Sequence, residues 1–376
     1  MQHPVVIVGA GVIGLSIGWK LCKAGVNTLI LERQTAGQEA SWASAGMLAP
    51  ESELGFEEEA LYQLSRGSLS RWPAFTKALE ADSNASIDYR TEGILKVADD
   101  RDAAEALQRH YVFQKEQGLD VQWLTGAEAR EIEPFLAPRL PAAVFSKSDH
   151  QVDNRLLTKA LLAAFKNAGG KIEEQTPVQS ILTDGEHPVV VTENGTRINA
   201  DQVVLAAGAW SRKVEGFTPA LRPPVRPVKG QMIQLQIQAP FDLQHVVWGR
   251  DAYLAPKSNG RLLLGATMEE RGFDKSVTAG GLYDLLDAGW KMVPGIYDLE
   301  VTDTWAGLRP ASRDNEPLLG QSSIPNIIFA TGHYRNGIVL VPITAEEITR
   351  LIIKKETSEW LVPFSPMRFD PHTTTP

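Results

Sequence analysis

The sequence predicts a mixed α/β fold: a Rossmann-like, doubly wound sheet that opens with a βαβ unit, joined to a second domain built on an antiparallel sheet. Three observations carry that prediction. An apolar run, a glycine-rich turn, a helical period and a second apolar run follow one another within residues 4–32. Between 225 and 265 the texture changes to short strands in succession, as in an antiparallel sheet rather than βαβ repeats. The 376 residues exceed what one compact core usually holds and suit two joined domains.

Taken in order, 4–8 reads as a strand, 13–24 as a helix with Gly25 placed as its C-cap, and 27–31 as a second strand. The polar, Ser/Ala/Gly-rich stretch 35–50 has no periodicity, and loops of that length in compact domains are often functional. Segments 57–79 and 102–117 read as helices, and 154–168 as an amphipathic helix ended by Gly169 and Gly170. From 171 to 204 come short alternating segments with turns at Asp184-Gly185 and Asn194-Gly195, expected to return to the first domain. Strands are expected at 231–236, 246–248 and 261–264. A helix at 282–290 follows, then strands at 302–306 and 327–330. Residues 338–354 close as a helix whose basic residues sit at its C-terminal end, where they complement the dipole.

The expected division is discontinuous. A nucleotide-binding domain takes 1–85, 145–220 and 310–362. A substrate-binding domain takes 86–144 and 221–309, and 363–376 is a loose tail.

Composition narrows function. Hydrophobic residues make up 43% and charged residues 22%, ordinary for a globular chain. A net charge of −9 repels phosphate backbones and anionic lipid, which disfavours nucleic-acid and membrane-surface roles. No apolar run approaches the roughly 18 residues needed to cross a bilayer. The start of the chain lacks the basic region and cleavage site of a secretory leader, so a cytoplasmic location is expected. The only cysteine is Cys22, which excludes an intramolecular disulfide and a cysteine metal cluster; no metal is expected.

Gly9-Ala10-Gly11-Val12-Ile13-Gly14 follows a strand and opens a helix. The glycines permit a tight turn, close approach of backbone to a pyrophosphate, and close helix–strand packing, with the helix N-terminus facing the phosphates. Glu32 ends the second strand, where a carboxylate accepts hydrogen bonds from ribose hydroxyls and repels a 2′-phosphate, arguing against NADP. The run Val204-Leu205-Ala206-Ala207-Gly208-Ala209-Trp210-Ser211 is an apolar strand running into small residues. It is either a place where backbone approaches something bulky or a tight strand–helix turn. No second Gly-x-Gly-x-x-Gly is present, so a two-dinucleotide reductase is not supported.

Further motifs stand in order: Ser44-Ala45-Gly46-Met47-Leu48, Pro227-Val228-Lys229-Gly230-Gln231, and Gly265-Ala266-Thr267-Met268. Trp305-Ala306-Gly307-Leu308-Arg309-Pro310 and Gly332-His333-Tyr334-Arg335-Asn336-Gly337 complete the set. With the two glycine-rich motifs, these make the chain resemble the D-amino-acid oxidase superfamily of flavoproteins over nearly its whole length, most closely its bacterial glycine-oxidising branch. The resemblance implies the glutathione-reductase type of FAD-binding fold and FAD as cofactor. By position, Gly9, Gly11, Val12, Ile13, Gly14, Glu32 and Arg33 would hold the ADP half, with Val178 touching the adenine side. Ala40, Ser41, Ala45, Gly46 and Met47 would line pyrophosphate and isoalloxazine, near Ala207, Gly208 and Trp210. His333, Tyr334, Arg335, Asn336, Gly337 and Ile338 would wrap the pyrimidine edge. Ile338 would begin a helix whose N-terminus favours negative charge on reduced flavin.

For substrate, the resemblance puts Arg309 on an amino acid's carboxylate, Arg335 nearby, Tyr253 as a hydroxyl cap, and Met47 and Met268 as apolar walls. By residue type alone, Arg309 fits a surface ion pair equally well, Tyr253 a strand core, and both methionines packing. The implied reaction oxidises glycine, sarcosine or a small D-amino acid to the imine, which hydrolyses, with O₂ reduced to H₂O₂. No acid/base residue is required beyond deprotonation of the substrate amine. The family also implies a homotetramer and a role supplying the imine for the thiazole ring of thiamine. Relatives that tether FAD through a late cysteine find no counterpart here, since Cys22 falls on the first helix; FAD is expected to be non-covalent. The alternatives are a D-amino-acid dehydrogenase passing electrons to a quinone, and a sarcosine oxidase.

Overall fold

The computed structural model describes residues 5–56 and 58–370. Its first sheet has six strands in the order Leu318–Gln321, Ile327–Thr331, Gln202–Leu205, β1 (Val5–Val8), β2 (Thr28–Leu31) and Lys171–Glu173. All neighbours are parallel except the first pair. β1 lies centrally and is buried along its whole length, as an all-apolar run in a parallel sheet should be. Helix α1 (Val12–Lys23) connects β1 to β2 and packs between the helices Asn154–Asn167 and Val341–Lys354. Gly18 makes the first contact possible: a Cβ there would come 2.9 Å from the ring of Phe165.

The second large sheet has eight strands, in the order Glu300–Ala311, Arg226–Gln236, Arg261–Gly265, Tyr253–Pro256, Val246–Trp248, Ile94–Ala98, Ala142–Ser146 and Val121–Thr125. It is antiparallel apart from the pair of Val246–Trp248 with Ile94–Ala98. The helix Ala279–Met292 buries Leu285 and Met292 in the same core as Leu262 and Leu264 of this sheet. The two longest strands, Arg226–Gln236 and Glu300–Ala311, pair so that Gly230 faces Gly307 and Val228 faces Arg309. A separate antiparallel sheet joins Val178–Leu182, Val189–Thr192 and Arg197–Asn199.

Several expected elements differ. The helix expected over 57–79 is two helices, Glu59–Leu69 and Trp72–Ser83, with Pro73 in the first turn of the second; its expected start at Glu57 lies outside the described residues, as does the start of the first strand at Pro4. The stretch 35–50 is not structureless. It holds α2 (Ala40–Ala43), fixed where Trp305 donates its indole N–H to the Ala43 carbonyl at 3.0 Å, and it leads into α3 (Pro50–Glu53). Strands Ile94–Ala98, Val121–Thr125, Ala142–Ser146, Tyr253–Pro256 and Leu318–Gln321 add to those expected. The closing helix starts at Val341, not at residue 338, because 334–340 form consecutive turns. The tail is tied down as far as residue 370: Phe364 is buried and Arg368 bonds Asp314 at 2.8 Å. Residues 371–376 lie outside the described ones.

Candidate active site

At the carboxyl end of β1 the chain turns through Gly9 at φ +108, where a Cβ would stand 2.5 Å from the Ala206 carbonyl oxygen. A Cβ on Gly14 would meet the Gly9 oxygen at 2.0 Å, so this glycine serves helix–strand contact and does not line the groove. Gly11 is the N-cap of α1 and offers no side-chain acceptor. Only the Val12 N–H is taken up, by Ser41 Oγ at 3.0 Å. A helix start of this kind is an anion site.

Glu32, at the end of β2, accepts the Ala10 N–H at 2.8 Å and the Gln34 N–H at 2.9 Å, one on each carboxylate oxygen. That fixes the carboxylate and leaves lone pairs for a diol. Gly9, Glu32, Arg33, Val178, Ala207 and Trp210 line one cavity of about 470 Å³. On its wall the Arg33 guanidinium stacks on Trp210 at 4.0 Å and pairs with Glu39 at 2.6 Å.

This cavity shares Gly11, Ala40, Ser41 and Gly208 with a second of about 190 Å³, so the two form one elongated groove. Its combined size falls in the range of pockets for large ligands, about 300–1,000 Å³. An acidic diol acceptor at one end, a helix start whose N-cap is glycine midway and a mostly apolar chamber beyond fit FAD. Val12, Ile13, Ala45, Gly46, Met47, His333, Tyr334, Arg335, Gly337 and Ile338 all line the second cavity. Gly46 has φ +77, and a Cβ there would collide with the Val152 carbonyl oxygen at 2.1 Å. Lys257 secures the same loop. Its buried Nζ donates to the carbonyls of Ala45 (2.7 Å) and Val152 (2.8 Å) and to Gln151 Oε1 (3.0 Å), and burial pushes the ammonium down to about 7. His333 is also buried, which holds its imidazole neutral down to about 3.

The chamber's polar groups come from the eight-stranded sheet. The Arg309 guanidinium lies across Gly230, where a Cβ would stand 2.5 Å from each terminal nitrogen. Both of its hydrogen bonds use Nη1, to the carbonyls of Thr267 (3.0 Å) and Lys229 (3.3 Å). Thr267 is held in turn by Glu269, which also accepts from Gln231. Tyr253 points its hydroxyl at Met232 Sδ (3.4 Å), a weak partner, and burial raises the phenol to about 12, so it remains a donor. Arg335 sits 3.6 Å from Glu53, and Trp248 stands edge-on to Tyr253 at 6.0 Å.

Of the residues expected from sequence, Arg309, Tyr253, Arg335 and Met47 come together in this chamber. Met268 does not: it is 65% exposed, lines no part of the groove, and takes the Tyr334 hydroxyl on its sulfur at 2.9 Å. Asn336 lines a neighbouring small cleft instead. The helix placed at Ile338 by resemblance begins three residues later, so Gly337 and Ile338 meet the cavity as turn residues. Glu53, Trp248, Met232 and Lys257 carried no recognisable signal, since each belongs to the site only through partners far away in the chain; Gly230 stood in a family motif, but its role under the Arg309 guanidinium did not show there. Among the described residues no cluster could hold a metal ion, and no helix is long and apolar enough to cross a membrane.

Comparison with known proteins gives a consistent result. The family model described as DAO, FAD dependent oxidoreductase, matches residues 4–351. The glycine oxidase of Geobacillus kaustophilus (strain HTA426) is 39% identical over 97% of this chain and 96% of its own length. The bifunctional protein ThiO/ThiG of Synechocystis sp. (strain ATCC 27184 / PCC 6803 / Kazusa) is 35% identical over 99% of this chain, which spans 55% of that longer relative. A crystal structure of glycine oxidase from Geobacillus kaustophilus superposes with a TM-score of 0.92 at 38% identity, covering 99% of this chain and 100% of that one.

Proposed function

Because the chain belongs to the DAO family of FAD-dependent oxidoreductases, we propose that it oxidises glycine, and with it sarcosine and small D-amino acids, using O₂ and forming H₂O₂. The observation that carries this reading is Arg309, pinned across Gly230 in the chamber that continues the FAD groove. Its guanidinium is positioned to receive a carboxylate in a charge-assisted pair, which orients the substrate's α-carbon. Tyr253 supplies a second donor to the same carboxylate. Met47, Met232 and Trp248 supply apolar walls to the chamber. Bound FAD supplies the two-electron acceptor for the α-C–H bond and passes the electrons to O₂.

The imine leaves the chamber; its consumption in forming the thiamine thiazole is the role we assign, and what is not consumed hydrolyses in water. Cys22 lies on α1, packed against the hydrophobic core and away from the groove, in keeping with non-covalent FAD. Assembly as a homotetramer rests on the family resemblance and is read by light scattering.

Anaerobic glycine should bleach the yellow protein, and air should restore its colour with release of peroxide. Bleaching without peroxide release in air would replace the oxidase with a dehydrogenase. No bleaching at all would remove glycine as the substrate.

A further inference from the structure

The short helix α3 turns one side chain, Glu53, into the substrate chamber, and side chains from outside it hold that helix in place. Asp149 caps its start, accepting the N–H groups of Glu51 (3.0 Å) and Ser52 (2.8 Å). Lys96 Nζ donates to the Ser52 carbonyl at 2.8 Å, and the His110 ring N–H takes the Leu54 carbonyl at 2.7 Å. Ser146 and Gln114 fix Glu51 through its carboxylate and its carbonyl. These groups all engage the helix from outside the chamber, while Glu53 remains at the chamber wall.

Glu53 Oε2 is buried and accepts no hydrogen bond. An unsatisfied buried carboxylate oxygen costs stability and is uncommon in native proteins. The groups facing it are Arg335 at 3.6 Å, with Lys96, Arg309, Glu58 and Tyr253 within electrostatic reach. An α-amino acid whose carboxylate rests on Arg309 carries a cationic ammonium, which needs an anionic partner among these guanidinium groups. Oxidation also requires that ammonium to lose a proton first.

We propose that Glu53 binds the substrate ammonium and is the base that deprotonates it. The transfer is R–NH₃⁺ with Glu53–COO⁻ to R–NH₂ with Glu53–COOH; one N–H bond breaks, one O–H bond forms, and no electron moves. Glu53 is shared between the chamber and the cleft lined by Tyr62, Ser65, Asn336 and Glu58. That cleft, of about 10 Å³, has room for about one water molecule. Desolvation raises the Glu53 carboxyl above the usual carboxylate range, toward the working pH where a general base is most effective.

The inference rests on the glycine reading above. It is tested by anaerobic stopped-flow reduction of the FAD-loaded enzyme with glycine across pH, for the native protein, Glu53→Gln and Glu53→Asp. Near neutral pH, Glu53→Gln should be reduced roughly 10²-fold more slowly or worse, the usual range for loss of a general base. Its rate should recover at alkaline pH, where free substrate amine is abundant. Glu53→Asp should fall between the two.

Glycolate, which has a hydroxyl in place of the ammonium, should bind native and Glu53→Gln proteins alike, as judged by the flavin absorbance shift. Equal rates at neutral pH would overturn the proposal. So would a pH-independent loss accompanied by weaker glycolate binding, which would leave Glu53 as a counter-charge that positions Arg335. If native protein is not reduced by glycine, the substrate assignment itself has failed.

Discussion

The two arms of the groove are made of different material. The nucleotide arm is built around the turn and helix start at residues 9–12 and the small-residue run 206–209, with Glu32 fixed by two backbone N–H groups. The substrate chamber is mostly side chain, with Glu53, Trp248, Tyr253, Arg309 and Arg335 arriving on separate elements. A backbone site is specified by where side chains are forbidden. A side-chain site is specified by register between strands far apart in sequence. Damage to the first arm should therefore weaken cofactor retention, and damage to the second should weaken substrate use, with little crossover.

The largest separation is expected at Arg309. Arg309→Ala should lower kcat/KM for glycine on the order of 10²–10³-fold, the scale for truncating one member of a buried charge pair, with KM carrying most of the change. Gly230→Val should do the same without touching Arg309, because its side chain would occupy the guanidinium's place. Both variants should retain FAD. A Gly230→Val enzyme with native KM would break the cradle argument.

His333 comes next and concerns stability. Burial lowers its imidazole from 6.5 to about 3. Below pH 6.5 the unfolded chain takes up a proton that the native chain refuses, so stability present above that pH is lost as pH falls toward 3. At about 1.4 kcal/mol per pH unit, the loss reaches about 3 kcal/mol near pH 4. Urea melts of native protein and His333→Asn should converge on acidification. Parallel curves would show that His333 titrates normally.

Glu32→Ala should leave the Ala10 and Gln34 amides without their acceptors, at about 1–3 kcal/mol. Flavin should then dissociate about 10- to 100-fold more readily, with kcat at saturating FAD nearly native. A change in glycine KM here would blur the distinction between the arms. Met268→Ala, outside the groove, should alter kcat/KM less than about twofold, like other exposed substitutions. A larger effect would bring Met268 back as a chamber wall closing on substrate.

The same contrast governs how much could be read from sequence. Gly9, Gly11, Gly14 and Glu32 were legible because the turn, the helix start and the strand end are local features at fixed spacing. Arg309 was visible only through motif order, since an arginine before Pro310 has no intrinsic chemistry, and Tyr253 only through the family resemblance. Glu53 was indistinguishable from Glu51, Glu58 and Glu59 around it, and only its place in the chamber wall, with an oxygen that accepts no hydrogen bond, singles it out. Strands Ile94–Ala98 and Ala142–Ser146 escaped notice because their partners lie dozens of residues away. Met268 was misplaced because motif order gives its position in the chain and not the direction of its side chain.

The central claim is that the chamber selects a small amino acid by its carboxylate, held on Arg309. The most direct measurement is peroxide release in air from the FAD-loaded protein offered glycine, sarcosine, D-alanine and D-proline in parallel. The expected result is turnover of glycine first, with sarcosine and D-alanine following. Peroxide from none of the four, or from D-proline alone, would contradict it.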